Sequence, residues 1–126
     1  HLSSAQILAL FTGGFSVPFD IVPADGGTNW IVPLQVMIRV VNIATPYAFA
    51  GDVHFYYGTS DEFTVAALTP VFEAFSDSVA FYTFPSYVRY GATVAGMSFA
   101  IGTDAAVTLG DGDAYVELIY AIRPST

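Results

Sequence analysis

The chain has 126 residues, a formal net charge of −8, 54% hydrophobic residues, no lysine, no cysteine and three arginines, Arg39, Arg89 and Arg123. Zero cysteine excludes a disulfide framework, a zinc–thiolate centre and thiol catalysis. So few cations exclude a groove for a nucleic-acid backbone and a footing on an anionic membrane surface.

The length fits one domain, which buries about two-thirds of the surface of its unfolded chain. Charged side chains this scarce cannot cover what is left, so some apolar surface is expected to be buried against other chains. An obligate assembly subunit fits that composition better than a free enzyme. The acidic charge keeps so apolar a chain soluble before it assembles. The longest apolar run, Ile31 to Val41, is broken by Pro33, Gln35 and Arg39 and is too short and too polar to cross a bilayer.

Taken in chain order, the first element is a short helix. Ser3 or Ser4 can cap it, Ser3 and Gln6 have capping-box spacing, and Gly13-Gly14 would stop it. Ile7, Leu8 and Phe11 then share one face that needs a cover. Residues 1–14 are therefore expected to form a helical arm, either plugging an end of their own domain or reaching a neighbouring subunit. Residues 15–126 are expected to form one β-sandwich domain.

Phe15 to Val22 reads as a strand, and Pro18 inside it requires a sheet edge or a bulge. Pro23 to Gly27 is a turn cluster. Trp30 to Val41 is the strongest strand, with Leu34, Val36, Ile38 and Val40 on one face and Gln35, Met37, Arg39 and Val41 on the other. That second face is mixed, as expected where a sheet meets a neighbour or solvent.

Phe49 to Tyr57 is a further strand, placing Val53, Phe55 and Tyr57 opposite His54 and Tyr56. Thr59 to Glu62 reads as a polar loop. Val71 to Tyr82 fits either a strand pair or a short helix after Pro70. Phe84 to Tyr90 reads as an aromatic loop. Thr93 to Ile101 is a strand with Gly96, Ser98 and Ala100 on one face. Asp111-Gly112 signals a hairpin turn before a last strand, Ala114 to Ile122. Many short strands without helical crossovers predict an all-β, antiparallel sandwich of jelly-roll-like character.

Chemistry is thinly signalled. His54 is the one histidine inside a predicted strand, with Asp52 two residues away to orient it, but no serine sits in a nucleophile elbow. A strand histidine without such partners is a hydrogen-bonded structural residue. Most acids lie in turns, where they are solvated turn formers. Glu117 interrupts an apolar strand and is expected to pair with Arg39 or Arg89, or to meet a neighbouring subunit. Asp104, Asp111 and Asp113 supply hard oxygen atoms near one hairpin and are the weak candidates for calcium, but their spacing is not that of an EF-hand. Plain turns account for them, and no metal or cofactor is expected. Trp30, Tyr82, Tyr87 and Tyr90 could stack on a glycan, although aromatics also fill interfaces.

The opening third carries a resemblance. Leu2-Ser3-Ser4-Ala5-Gln6-Ile7 leads to Phe15, Val17, Ile21-Val22-Pro23-Ala24, Gly26-Gly27 and Trp30-Ile31-Val32-Pro33-Leu34. Over residues 2–34 this resembles small structural proteins of tailed bacteriophages, in which a Leu-(Thr/Ser)-Ala-Ala-Gln-Ile opening precedes a Val-Pro-Ala-Pro-Gly turn and a strand. Asp25 stands where such turns often carry proline. The resemblance implies a capsid decoration, or cement, protein on the outer capsid surface of a virion, or a head or tail accessory protein. It implies no catalytic residues and no cofactor. Its partners would be the major capsid protein and copies of itself, often as a trimer. Contacts are then expected from Leu2, Ile7, Leu8 and Phe11 in the arm, and from Phe84, Tyr87 and Tyr90 in the aromatic loop. The alternative is a carbohydrate- or receptor-binding module of a fibre.

Overall fold

A computed structural model describes residues 1–85 and 94–124. Ser3 caps a one-turn helix, α1 (Ser4–Leu8): its hydroxyl accepts from Gln6 N at 3.4 Å, and the Gln6 side chain accepts from Ser3 N at 2.9 Å. The capping box forms as its spacing requires. The helix closes at Ala9, well before the glycines. Gly13 and Gly14 have positive φ and turn the chain between β1 (Phe11–Thr12) and β2 (Phe15–Ser16) instead. Val17-Pro18 then separates β2 from β3 (Phe19–Val22), an edge strand with an irregularity between Asp20 and Val22. The proline therefore acts at an edge, as its missing N–H demands.

The chain continues through β4 (Asn29–Val41), β5 (Ala48–Phe49), β6 (Val53–Tyr57), β7 (Ser60–Thr64), a 3₁₀ turn at Ala66–Leu68, α2 (Thr69–Phe72), β8 (Ser78–Thr83), β9 (Phe99–Thr103), β10 (Val107–Thr108) and β11 (Asp113–Pro124). The fold is all-β and sandwich-like. A three-stranded sheet, ordered β11-β4-β8, packs over a four-stranded sheet, ordered β3-β9-β6-β7, and every pairing in both is antiparallel. Two small ribbons, β1-β2 and β10-β5, complete the described strands.

Several elements depart from the sequence pattern for local reasons. Gly58 at positive φ turns the chain tightly, and the polar stretch behind it pairs with β6 as an edge strand rather than remaining a loop. The segment after Pro70 is part helix and part strand. Asp111-Gly112 makes no hairpin, because β10 pairs with β5 while β11 pairs with β4. In β4, Leu34 points outward instead of joining Val36, Ile38 and Val40 in the core. Tyr120 pairs with Pro33 and Ile119 with Gln35, so Leu34 is the extra residue of a bulge beside a proline that cannot donate to the ladder.

One hydrophobic cluster fills the space between the sheets. Val36, Ile38 and Val40 from β4 meet Phe55 and Tyr57 from β6 and Phe99 and Ile101 from β9. Phe55 stacks on Phe99, and Phe84 meets both rings edge-on at centroid distances of 5.1 and 5.7 Å. The Tyr57 hydroxyl donates to Ile31 O and the Tyr47 hydroxyl to Gly112 O, so both buried phenols are satisfied.

Residues 1–14 are not a separate unit. Leu2 bridges Ala114 through two backbone hydrogen bonds, and Leu2, Ile7 and Leu10 belong to the same core. The helix plugs its own domain.

The accessible surface is 6385 Å² for 13.4 kDa, against about 6,500 Å² for a compact monomer of that mass. Its extent is ordinary and its chemistry is not: Phe15, Leu34, Phe75, Val79, Phe81, Leu109, Ile119 and Ile122 are all exposed.

Candidate functional site: an open sheet face

Strand alternation gives β4 two different faces. One is the core side already described. The other looks away from the sandwich, and the register of β11, β4 and β8 fixes its order. Tyr115, Arg39 and Val79 form one row across the three strands, Glu117, Met37 and Phe81 the next, and Ile119, Gln35 and Thr83 the third. Phe81 is 64% exposed, Ile119 59% and Val79 53%. The bulged Leu34 adds to this surface.

Two shallow depressions lie on the face. One, of about 140 Å³, is bounded by Gln35, Met37, Phe81, Glu117 and Ile119. The other, of about 270 Å³, lies along Arg39, Val41, Asp77, Ser78 and Val79. Phe, Tyr, Met and Arg are the residue types enriched where proteins meet, and Lys and Asp are absent from the nine positions. The Arg39 guanidinium sits 5.0 Å from the Tyr115 ring centroid. Among the described residues neither Arg39 nor Glu117 makes an ion pair; in register Glu117 faces Met37. Arg89, the other expected partner, lies outside the described residues.

The residues expected to make contacts fall elsewhere. Leu2 and Ile7 are buried in their own chain, and Leu8 and Phe11 are half-buried beside them, so the arm offers no free apolar stripe. The capping box and the bridge to Ala114 hold that segment on its own domain. Phe84 is likewise enclosed, among Phe55, Phe63, Tyr82 and Phe99. Tyr87 and Tyr90 lie outside the described residues. The alternation in β4 and β11 carries the signal for the open face.

His54 is 5% exposed. Its Nε2 lies 3.3 Å from Asp104 Oδ2, and its Nδ1 lies 3.4 Å from Thr64 Oγ1. Asp52, the expected orienting group, instead accepts from the Thr69 hydroxyl at 3.2 Å. Asp104 also accepts from Asp52 N at 3.0 Å. The order hydroxyl, imidazole, carboxylate resembles a catalytic relay, but the ring is buried and lines none of the concave surfaces described here. The cluster ties β6, β7 and the end of β9 together. Gly51 permits it, since a Cβ there would fall on the Asp104 carboxylate.

The carboxylates expected near one hairpin are dispersed. Asp104 faces His54, whereas Asp113 lies 3.8 Å from His1 Nε2. Asp111 accepts from Ala44 N and Thr45 N, both at 2.9 Å. These two backbone donors hold its carboxyl below the ordinary carboxylate value. Among the described residues no group of three or more His, Asp or Glu side chains is placed to hold a metal.

A smaller cleft, of about 80 Å³, opens between Trp30, Val22, Pro23, Asp25, Asn29, Met97 and Ile122. It combines an indole wall with a carboxylate and an amide.

No helix among the described residues is long and apolar enough to cross a membrane. Comparison with family models, with curated proteins and with solved structures returned no match.

Proposed function

We propose that this chain is a structural subunit that works by binding alone, a component of a larger shell in which the open face of its three-stranded sheet is a buried contact surface. The observation that carries the reading is that face: nine ordered side chains, mostly apolar, on a rigid sheet that nothing in the chain's described part covers. Burying apolar area there contributes roughly 25 cal/mol per Å². The resemblance of residues 2–34 supplies the kind of shell, a tailed-bacteriophage head with the major capsid protein as partner and the subunit on its outer surface. An acidic chain with three arginines suits that outer position, away from packaged nucleic acid. The reading requires no catalysis and no cofactor.

The test is reconstitution. Purified chain added to heads that lack it is expected to bind and to raise their resistance to heat and osmotic shock. Val79→Asp, opposite Arg39 on the open face, is expected to abolish binding while leaving the unfolding midpoint within a few degrees of the parent. Heads equally robust with and without the chain would overturn the proposal.

The Trp30 cleft favours a second reading. An indole beside a carboxylate and an amide can stack on one sugar face and hydrogen-bond its hydroxyls. Binding on a glycan array, lost in Trp30→Ala, would support a carbohydrate-binding fibre module instead.

A further inference from the structure

We propose that the occupant of the open face is a second copy of this chain, packed face to face about a two-fold axis that sets Arg39 of each copy against Glu117 of the other. The proposal rests on the reading of this face as a contact surface, and it names the partner.

The argument begins with the two charges. Arg39 and Glu117 are the only charged residues among the nine positions, one of each sign, on neighbouring strands. Any partner that covers the face takes both out of water. Asp77 lines the depression beside Arg39 but makes no ion pair with it. A charge buried without an opposite partner is strongly unfavourable, so a cover that sets an anion over Arg39 and a cation over Glu117 is favoured. A second copy of the same face supplies both at once.

Symmetry then selects the orientation. Two identical faces meet about a two-fold axis lying in the plane between them. An axis along the strands puts Arg39 on Arg39. An axis across the strands puts Glu117 on Glu117. The diagonal from Val79 to Ile119 sets Arg39 over Phe81 and Glu117 over Gln35, leaving both charges unpaired. The remaining diagonal, from Tyr115 to Thr83, sets Arg39 over Glu117 in both directions. It also brings Val79 onto Ile119, Phe81 onto Gln35, and Met37 onto its own copy at the centre. The strands of the two sheets then cross near right angles, which is one of the two ordinary ways sheets pack. Interfaces about a two-fold are self-complementary in this way, each contact occurring twice.

The face is modest in size. Three strands about 4.8 Å apart cover less than the roughly 800 Å² per partner of a stable dimer. Association in free solution is therefore concentration-dependent, with midpoints on the order of 10–100 µM, and a crowded shell surface strengthens it.

Sedimentation equilibrium of the purified chain tests the proposal. The parent is expected to show a monomer–dimer equilibrium in that range. Arg39→Glu and Glu117→Arg should each weaken it at least about tenfold, because both contacts then join like charges. An equimolar mixture of the two single variants should dimerise as the parent does, because each contact again joins opposite charges. The double variant Arg39→Glu/Glu117→Arg should recover for the same reason. A fold damaged by one substitution cannot produce recovery on mixing. A parent that stays monomeric to about 1 mM, or single variants that associate unchanged, or a mixture that fails to recover, would each overturn the proposal. A monomeric parent whose Val79→Asp variant still loses head binding leaves the contact-surface reading standing and removes only the second copy as occupant. A Val79→Asp variant that binds heads normally removes the contact-surface reading itself.

Discussion

The two sheets are built from similar side chains and use them differently. In the four-stranded sheet, all five residues of β6 and all five of β9 are buried. Even the outward positions there are covered: the Tyr56 hydroxyl meets Ser16 Oγ at 3.2 Å, and a Cβ on Gly102 would crowd Pro18 and the Tyr56 ring. The β2 segment therefore lies over the back of that sheet. In the three-stranded sheet the described residues cover only the core side, and β8 alternates half-buried with exposed residues along its whole length. A strand with apolar residues on both faces needs two covers. Among the described residues, one sheet finds both and the other finds one.

The largest effect should come from the covered sheet. Phe55 is fully buried and touches Phe84 and Phe99. Phe55→Ala removes that ring and leaves a cavity, which is expected to cost about 3–5 kcal/mol. Urea unfolding followed by intrinsic fluorescence measures it. A loss below about 1 kcal/mol would mean that the packing between the sheets is not what holds the fold.

This difference between the sheets was only partly legible in the sequence. Alternation identified the core face of β6 correctly, because Val53, Phe55 and Tyr57 recur at the strand period. It also set Met37, Arg39 and Glu117 on outward faces. It failed at Leu34, where a bulge next to Pro33 shifts the phase by one residue and exposes a side chain that the period puts inside. The arm was legible as a capped helix that either plugs its own domain or reaches a neighbour, and what decides for the plug is Leu2 finding β11, a pairing across more than a hundred residues that no local pattern encodes. Asp104 was visible only as a turn former and a weak calcium candidate. Its position against His54 depends on Gly51 leaving room, and a glycine in sequence does not announce what approaches it.

The junction between the two sheets should give the next largest effect, at high pH. Burial, with Asp113 and Asp111 nearby, pushes the Tyr47 phenol from its ordinary 10.0 up to about 12. Below pH 10 both folded and unfolded chains keep the proton, and the stabilisation is complete. Above it the unfolded chain loses the proton first, so stability falls as pH rises from about 10 through about 12. The expected loss is about 1–2 kcal/mol, and Tyr47→Phe should remove that part of the alkaline slope. Thermal melts from pH 8 to 12 on both proteins measure it; identical slopes would sink the expectation.

A smaller effect is expected at the end of the covered sheet. Gly51→Ala places a Cβ 2.0 Å from the present position of Asp104 Oδ1. The carboxylate is half-exposed and can swing away, giving up Asp52 N and His54. The expected cost is about 1 kcal/mol, close to that of one lost hydrogen bond. Asp104→Ala should cost a similar amount, and adding Gly51→Ala to it should cost less than Gly51→Ala does alone, because only the 3.0 Å approach to Ala105 Cβ then remains. Additive losses in the double variant would show that Gly51 matters for another reason.

The smallest effect on stability should come from the largest side chain on the open face. Phe81 is 64% exposed and lies at the centre of β8. Phe81→Ala removes little buried area, so the unfolding free energy should stay within about 0.5 kcal/mol of the parent. The same substitution removes an aromatic contact beside Met37, the central residue of the face, where interface energy concentrates. Self-association and binding to heads should therefore weaken, by about tenfold, in a protein whose fold is as stable as before. Set beside Phe55→Ala, this separates the two uses of a phenylalanine in this chain. One substitution should unfold the subunit, and the other should leave it folded and without its partner. If Phe81→Ala costs as much stability as Phe55→Ala, the outer face of the three-stranded sheet is covered from within the chain, and the distinction between the two sheets disappears.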